Sequence, residues 1–192
     1  MVIFSFLIKS LLSTPRKDEN YNSERIFYCK NYNFLNFGTM NLESQLLKLG
    51  FDHPPVPKSL ASYIPSRVSG NLVFTSGQLP MKSGELVTKG KFGSDLILEH
   101  AKLPAEIACI NALGAILFSI NDLSRITKII RLGVFVASTP DFSDHHLVAN
   151  FVSELLIEIF GPEIGPHSRF AIGVSSLPLN APLELELTAE FL

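Results

Sequence analysis

The stretch HSRFAIGVSSLPLNAPLELEL, residues 167–187, carries the side chains with the most chemistry to offer: Arg169 among small and apolar neighbours, and Glu184 and Glu186 beyond a turn. A guanidinium at the head of a half-buried strand is costly unless an anion meets it, because a buried charge is tolerated only when paired and hydrogen-bonded. Period-2 alternation puts Arg169, Ala171, Gly173 and Ser175 on one strand face and Phe170, Ile172 and Val174 on the other. The apolar set is expected to face the core. The small residues then leave a concavity in which backbone N–H groups and the guanidinium fork can grip a planar carboxylate, a task for which Arg is better shaped than Lys. Pairing with a surface carboxylate accounts for the same arginine.

In the last strand Leu183, Leu185 and Leu187 face one way and Glu184, Glu186, Thr188 and Glu190 the other, a pattern that a solvated face explains. A tight hairpin through LPLNAP sets Ser175, not Arg169, opposite Glu184. If arginine and acid share a site, the connection is not a tight hairpin, or a neighbouring subunit completes the site. Other candidates offer less. Asp144, His145 and His146 lack metal-ligand spacing, since adjacent histidines diverge on a helix, and no metal is expected. His167 reads as a loop histidine near the arginine, Lys89 and Lys91 flank Gly90 without a phosphate-loop pattern, and Ser153 and Cys109 have no local base to make them nucleophiles.

The elements that position these residues are legible in outline. Leu42, Leu46, Leu47 and Leu49 predict a short helix capped by Asn41 and ended by Gly50. SYIPSRVS and NLVFTS predict two strands turning at Gly70-Asn71. Apolar spacing predicts helices over 99–120 and 141–160, a strand over 124–136 between them, and two final strands over 169–176 and 183–191. The order α, β, β, α, β, α, β, β, with hairpin-like pairs at both ends, predicts an α+β sandwich: a mixed sheet with two main helices on one face.

The chain has 192 residues, 46% hydrophobic, with no Trp, enough for one domain with a complete core. The net charge of -2 gives no general footprint for nucleic acid. Cys29 and Cys109 form no CxxC or Cys/His cluster, which fits a reducing compartment. Residues 1–40 show neither period, and Asp18, Glu19 and Glu24 argue against a transit peptide. They are expected to be a disordered or mistranslated extension ahead of Met40, with targeting as the alternative, and VIFSFLI is too short to span a bilayer. The protein is expected in the cytoplasm.

TSGQLP at 75–80, INDLSRIT leading to IIRLGVFV at 129–136, and SRFAIGVSSLPLNAPLELEL at 168–187 together resemble the Rid family, also called YjgF or L-PSP. The resemblance covers residues 41–192 and is closest to the branch labelled endoribonuclease L-PSP/chorismate mutase-like. It implies a chorismate-mutase-like α+β fold assembled as a homotrimer with ligand pockets between subunits. It also implies a hydrolytic deaminase that turns 2-imino acids or their enamine tautomers into 2-oxo acids and ammonia without a cofactor. By this resemblance Arg169 binds the substrate carboxylate with help from the backbone N–H of Ala171, and Glu184 positions the attacking water. Tyr63, Ser76 and Gly77 of the SGQ turn, and Asn150 line the pocket. The segment KSGELVTKGKFGSDLILEHAKLPAE is longer than in archetypal members and falls at the pocket rim. Two other functions remain open: a non-catalytic binder of small carboxylates, and the ribonuclease of the family label, which needs phosphate contacts that an acidic chain supplies poorly.

Overall fold

A computed structural model of the chain describes residues 42–56 and 62–192. The extension over 1–40 and the Asn41 cap lie outside the described residues. A short helix, α1 (Leu42–Lys48), buries Leu46 and stops near Gly50, which takes φ +83°. Two long helices follow later in the chain. In α2 (Lys102–Ile120) Ala108, Cys109, Ala112, Leu113, Ile116 and Ile120 are all buried, and Asn121 ends the helix in the left-handed region, its N–H bonded to the Leu117 carbonyl. The stretch Leu98–Ile120 has the length and apolarity to cross a bilayer, yet most of it is packed inside the protein. In α3 (His145–Ile164) Val148, Val152, Leu155, Leu156 and Ile159 are buried at the spacing of one helical face. Gly161, at φ 77° and ψ 176°, breaks α3 just before Pro162. This helix starts at His145 rather than Asp141, and its last turn beyond the break extends it past Phe160.

The strands are β1 (Ser66–Ser69), β2 (Leu72–Thr75), β3 (Met81–Lys82), β4 (Glu85–Leu86), β5 (Ile126–Ala137), β6 (Ser168–Val174) and β7 (Leu183–Phe191). Five of them form one mixed sheet in the order β1-β2-β7-β5-β6; β3 and β4 make a separate small hairpin inside the long segment after the SGQ turn. The predicted turn at Gly70-Asn71 does join β1 to β2 as an antiparallel pair. The predicted hairpin through LPLNAP does not form. Strand β5 lies between β6 and β7, parallel to the first and antiparallel to the second, so the chain crosses over β5 on its way from β6 to β7. Leu179 and Asn180, both at positive φ, bend that connection.

Both long helices pack on the sheet face that carries Leu132, Val134, Leu183, Leu185 and Leu187, and these side chains close the core. The register then fixes the faces of β6. Arg169 is the partner of Leu132, and Ala171 of Val134, so the arginine and the small residues face the helices. Phe170 and Ile172 lie on the other face with Gly133 and Phe135, where Ile172 is 45% exposed. This reverses the expected assignment for β6. The physical reason is that α3 needs close approach at the sheet edge: a Cβ on Gly173 would sit 2.5 Å from the His145 ring and 2.8 Å from Ser138 Oγ. Phe170 instead meets Phe135 edge to face at 5.4 Å and carries the Arg131 guanidinium 5.1 Å over its ring.

Among the described residues the core runs from Leu46 to Ala189. A chain beginning at Met40 is expected to unfold in one cooperative step within about 4 °C of the full-length Tm, the shift that roughly 1 kcal/mol produces in a domain of this size. Calorimetry on both chains checks this; a loss of cooperativity contradicts it.

Candidate functional site

Positions 146, 150 and 153 of α3 recur at i, i+4 and i+7, which puts them on one face of the helix, directed at β6. There they hold Arg169. Its Nη1 donates to Asn150 Oδ1 at 2.8 Å and to Ser153 Oγ at 2.9 Å, and Nη2 donates weakly to the His146 carbonyl at 3.4 Å. All three acceptors are neutral. Of the five N–H donors of a guanidinium, these bonds use three and leave donors on Nε and Nη2, the adjacent pair of nitrogens that a carboxylate can bridge. Burial against α3 lowers the arginine pKa from its ordinary value, and the Glu154 carboxylate acts in the opposite direction. Ala171 follows on the same face, half-buried against the core. Asn150, expected to line a pocket, has its side-chain oxygen turned to the arginine.

A second group forms on the opposite face of the sheet. Glu184 is the β-partner of Phe135, outside the helix layer, and stands half-buried against Gly77. A Cβ at Gly77 would collide with the Glu184 carboxylate, so glycine at this position is what allows the acid to lie down against the SGQ turn. Ser76 pins that turn: its N–H donates to the Pro65 carbonyl at 2.8 Å and its Oγ to the Ile64 carbonyl at 2.7 Å. Tyr63, next in the chain, is 45% exposed. Gln78 locks the other side of the turn through paired backbone bonds with Leu185. Burial raises the Glu184 pKa, and the negative charge of Glu186 raises it further. The seven expected site residues therefore fall into two sets within one chain: Arg169, Ala171 and Asn150 on the helix side, and Glu184, Gly77, Ser76 and Tyr63 on or beside the open side.

Two residues set aside on sequence grounds join the arginine. Ser153 bonds Arg169, and its Oγ is also 3.0 Å from His167 Nε2, while His167 Nδ1 reaches the Gly165 carbonyl at 2.7 Å. The i, i+3 spacing of Asn150 and Ser153 was the available signal. His145 pairs with Ser138 Oγ at 2.9 Å and meets the Phe142 ring edge-on. Among the described residues no cluster of three His, Cys, Asp or Glu side chains is placed to hold a metal ion. Cys109 is fully buried, and burial pushes its thiol far above the thiolate range, which disqualifies it as a nucleophile. The long segment after the SGQ turn is anchored: Phe92 is fully buried, its N–H bonds the Ala137 carbonyl at 2.9 Å, and the Gly90 N–H bonds the Asn180 carbonyl at 3.0 Å. It caps the C-terminal end of β5 beside the β6–β7 crossover.

Residues 43–191 match the model of a protein family described as "YjgF/chorismate_mutase-like, putative endoribonuclease". Protein TCP17 of Trypanosoma cruzi is 31% identical over 147 residues, which is 77% of this chain and 92% of that protein. The crystal structure of Atu1372 from Agrobacterium tumefaciens, a protein of unknown function, is 41% identical, with TM-score 0.73 over 78% of this chain and 92% of that one. The fold is also that of E. coli TdcF, solved with bound serine, at 21% identity and TM-score 0.54 over 71% of this chain and 94% of that one.

The raised pKa of Glu184 has a consequence for stability. A carboxyl that binds its proton more tightly folded than unfolded costs stability once pH rises above the unfolded value, about 4.3 for Glu, and the full cost stands above the folded value. Glu184→Gln is therefore expected to raise Tm at pH 8 and to leave it unchanged near pH 4. Gly77→Ala is expected to cost only about 1 kcal/mol, because the end of a flexible carboxylate yields, and to bring the Glu184 pKa back toward normal. Thermal melts across pH and NMR titration of the Glu184 carboxyl check both; a Tm gain for Glu184→Gln that is the same at pH 4 and pH 8 contradicts the first.

Proposed function

We propose, because this chain belongs to the YjgF/chorismate mutase-like family, that it hydrolyses 2-imino acids and their enamine tautomers to 2-oxo acids and ammonia. The observation that carries this reading is the Arg169 fork: a guanidinium fixed by three bonds to α3 and left with two adjacent donors for an external carboxylate. In TdcF the bound ligand is serine, itself a small α-carboxylate. On this reading Arg169 and the Ala171 backbone N–H hold the substrate carboxylate, while Tyr63, Ser76, Gly77 and Asn150 shape the pocket around it.

Water must then add to the electrophilic carbon of the C=N bond. Glu184 takes the proton from the water as the C–O bond forms, and the raised pKa makes it a stronger base than an ordinary surface glutamate. The proton passes to nitrogen to give a carbinolamine; a second transfer, from its hydroxyl by way of Glu184 to the amino group, lets the C–N bond break as the C=O bond forms, and ammonia leaves. The balance closes without an oxidant, reductant or metal, so the reading includes no cofactor.

Arg169 and Glu184 face opposite sides of one sheet, so this chemistry needs a second copy of the chain. Phe74, 42% exposed, and Ile172 on the open face, with β6 at the sheet edge, favour an assembly in which the edge of one subunit meets the open face of the next. The reading is a homotrimer with three shared sites, acting on metabolites in the cytoplasm without membrane or nucleic-acid partners. The same opposed placement also favours a second reading, in which Arg169 binds a small carboxylate and Glu184 does no chemistry.

The two are separated by ammonia release from 2-iminopropanoate generated in situ. In the deaminase, Arg169→Ala loses turnover and carboxylate binding together, and Glu184→Gln lowers kcat about 10²-fold with little change in affinity for pyruvate. No acceleration by the wild type, with pyruvate still bound, favours the binder; salt-sensitive cleavage of RNA in its place favours the ribonuclease. Sedimentation equilibrium at micromolar concentration is expected to give a trimer, and an active monomer contradicts the shared site.

A further inference from the structure

The turn after α3 has a purpose that its sequence alone does not disclose. Gly161 breaks the helix, Pro162 starts one more turn, and Gly165 then packs so tightly that a Cβ there would lie 2.6 Å from Ile157 Cα and 2.8 Å from the Leu156 carbonyl. That close return lays the His167 ring under Ser153, fourteen positions back in the chain. In its neutral form the ring has one arrangement of protons that satisfies every contact. A backbone carbonyl only accepts, so Nδ1 carries the proton and donates to Gly165 O at 2.7 Å. Neutral imidazole then offers its Nε2 lone pair, and the Ser153 hydroxyl donates to it at 3.0 Å. With its proton committed, Ser153 Oγ presents lone pairs to Arg169 Nη1 at 2.9 Å.

We propose that His167 and Ser153 are positioning residues for Arg169: a one-directional relay from the Gly165 carbonyl that keeps the serine oxygen an acceptor and so fixes the plane of the guanidinium fork. The inference rests on the reading of Arg169 as the carboxylate receptor. Asn150 holds Nη1 from the other side, and two acceptors on one nitrogen set the guanidinium plane about the Cδ–Nε bond and slow the interchange of Nη1 and Nη2 about the partly double Nε–Cζ bond. Burial and the positive charge of Arg169 both favour the neutral ring the relay requires, against the opposing influence of the Gly165 carbonyl. A fork fixed before the ligand arrives loses less freedom on binding, so the effect falls on affinity and KM rather than on kcat.

The test uses the full chain and pyruvate as probe. Ser153→Ala and His167→Leu are expected to weaken pyruvate binding roughly 5- to 10-fold, the equivalent of about one hydrogen bond. His167→Gln, whose side-chain oxygen accepts from Ser153, recovers most of it. Arginine side-chain NMR reads the relay directly: the Nη hydrogens of Arg169 exchange slowly in the wild type and in His167→Gln, and average in Ser153→Ala and His167→Leu. Wild-type affinity and slow exchange in the last two variants, with Tm preserved, overturn the relay. Pyruvate binding that survives Arg169→Ala, or is absent from the wild type, sinks instead the carboxylate-receptor reading. The exchange spectra then still decide whether His167 and Ser153 fix the guanidinium.

Discussion

Strand β5 pairs with β6 on one side and with β7 on the other, and the parity of those two registers governs what a single chain can assemble. Arg169 sits opposite Leu132, an inward position, and Glu184 opposite Phe135, an outward one. A slip of one residue in either ladder would reverse a whole face of side chains, exposing Leu183, Leu185 and Leu187 or Ala171, so burial of the core holds the parity in place. The same constraint that seals the hydrophobic layer therefore separates the two most reactive side chains by the thickness of the sheet. Under the proposed function, assembly is part of the active site and not an accessory to it.

Each half is prepared by local devices. On the helix side, α3 supplies neutral acceptors to a partly desolvated cation, which orients the guanidinium without neutralising it. A carboxylate in place of Asn150 or Ser153 would satisfy the charge and leave less attraction for a ligand. On the open side, the absence of a Cβ at Gly77 lets Glu184 lie against a turn that Ser76 and Gln78 pin, and burial beside Glu186 makes that acid reluctant to ionise. A cation held by neutral acceptors and an acid held beside another acid both come at a cost to stability, as is common where binding or catalysis is concerned.

Much of this was legible in the sequence because it rests on local periodicity. The alternation of Leu and Glu in β7, the helix that apolar spacing marks before β6 and the turn at Gly70-Asn71 all appear where pattern places them. The pairing of β6 was not legible. LPLNAP has turn composition, and nothing local tells a hairpin from a crossover, since that choice belongs to β5, far back in the chain. Nor was the inward face of β6: Phe170, Ile172 and Val174 look like core, but the tight packing of His145 against Gly173 leaves no room for large side chains there. Ser153 and His167 were missed for a similar reason, because the turn that joins them depends on the packing of Gly165 rather than on any motif.

The central claim is that one subunit's Arg169 works with another's Glu184, and mixing two defective variants tests it most directly. Arg169→Ala and Glu184→Gln chains, each inactive alone, are unfolded together, refolded as a one-to-one mixture and assayed for ammonia release from 2-iminopropanoate. If sites are shared between neighbours, a random trimer restores about a quarter of wild-type activity, because each site needs an intact arginine from one chain and an intact glutamate from the next. A mixture no more active than either variant, from trimers shown to contain both chains, contradicts the account.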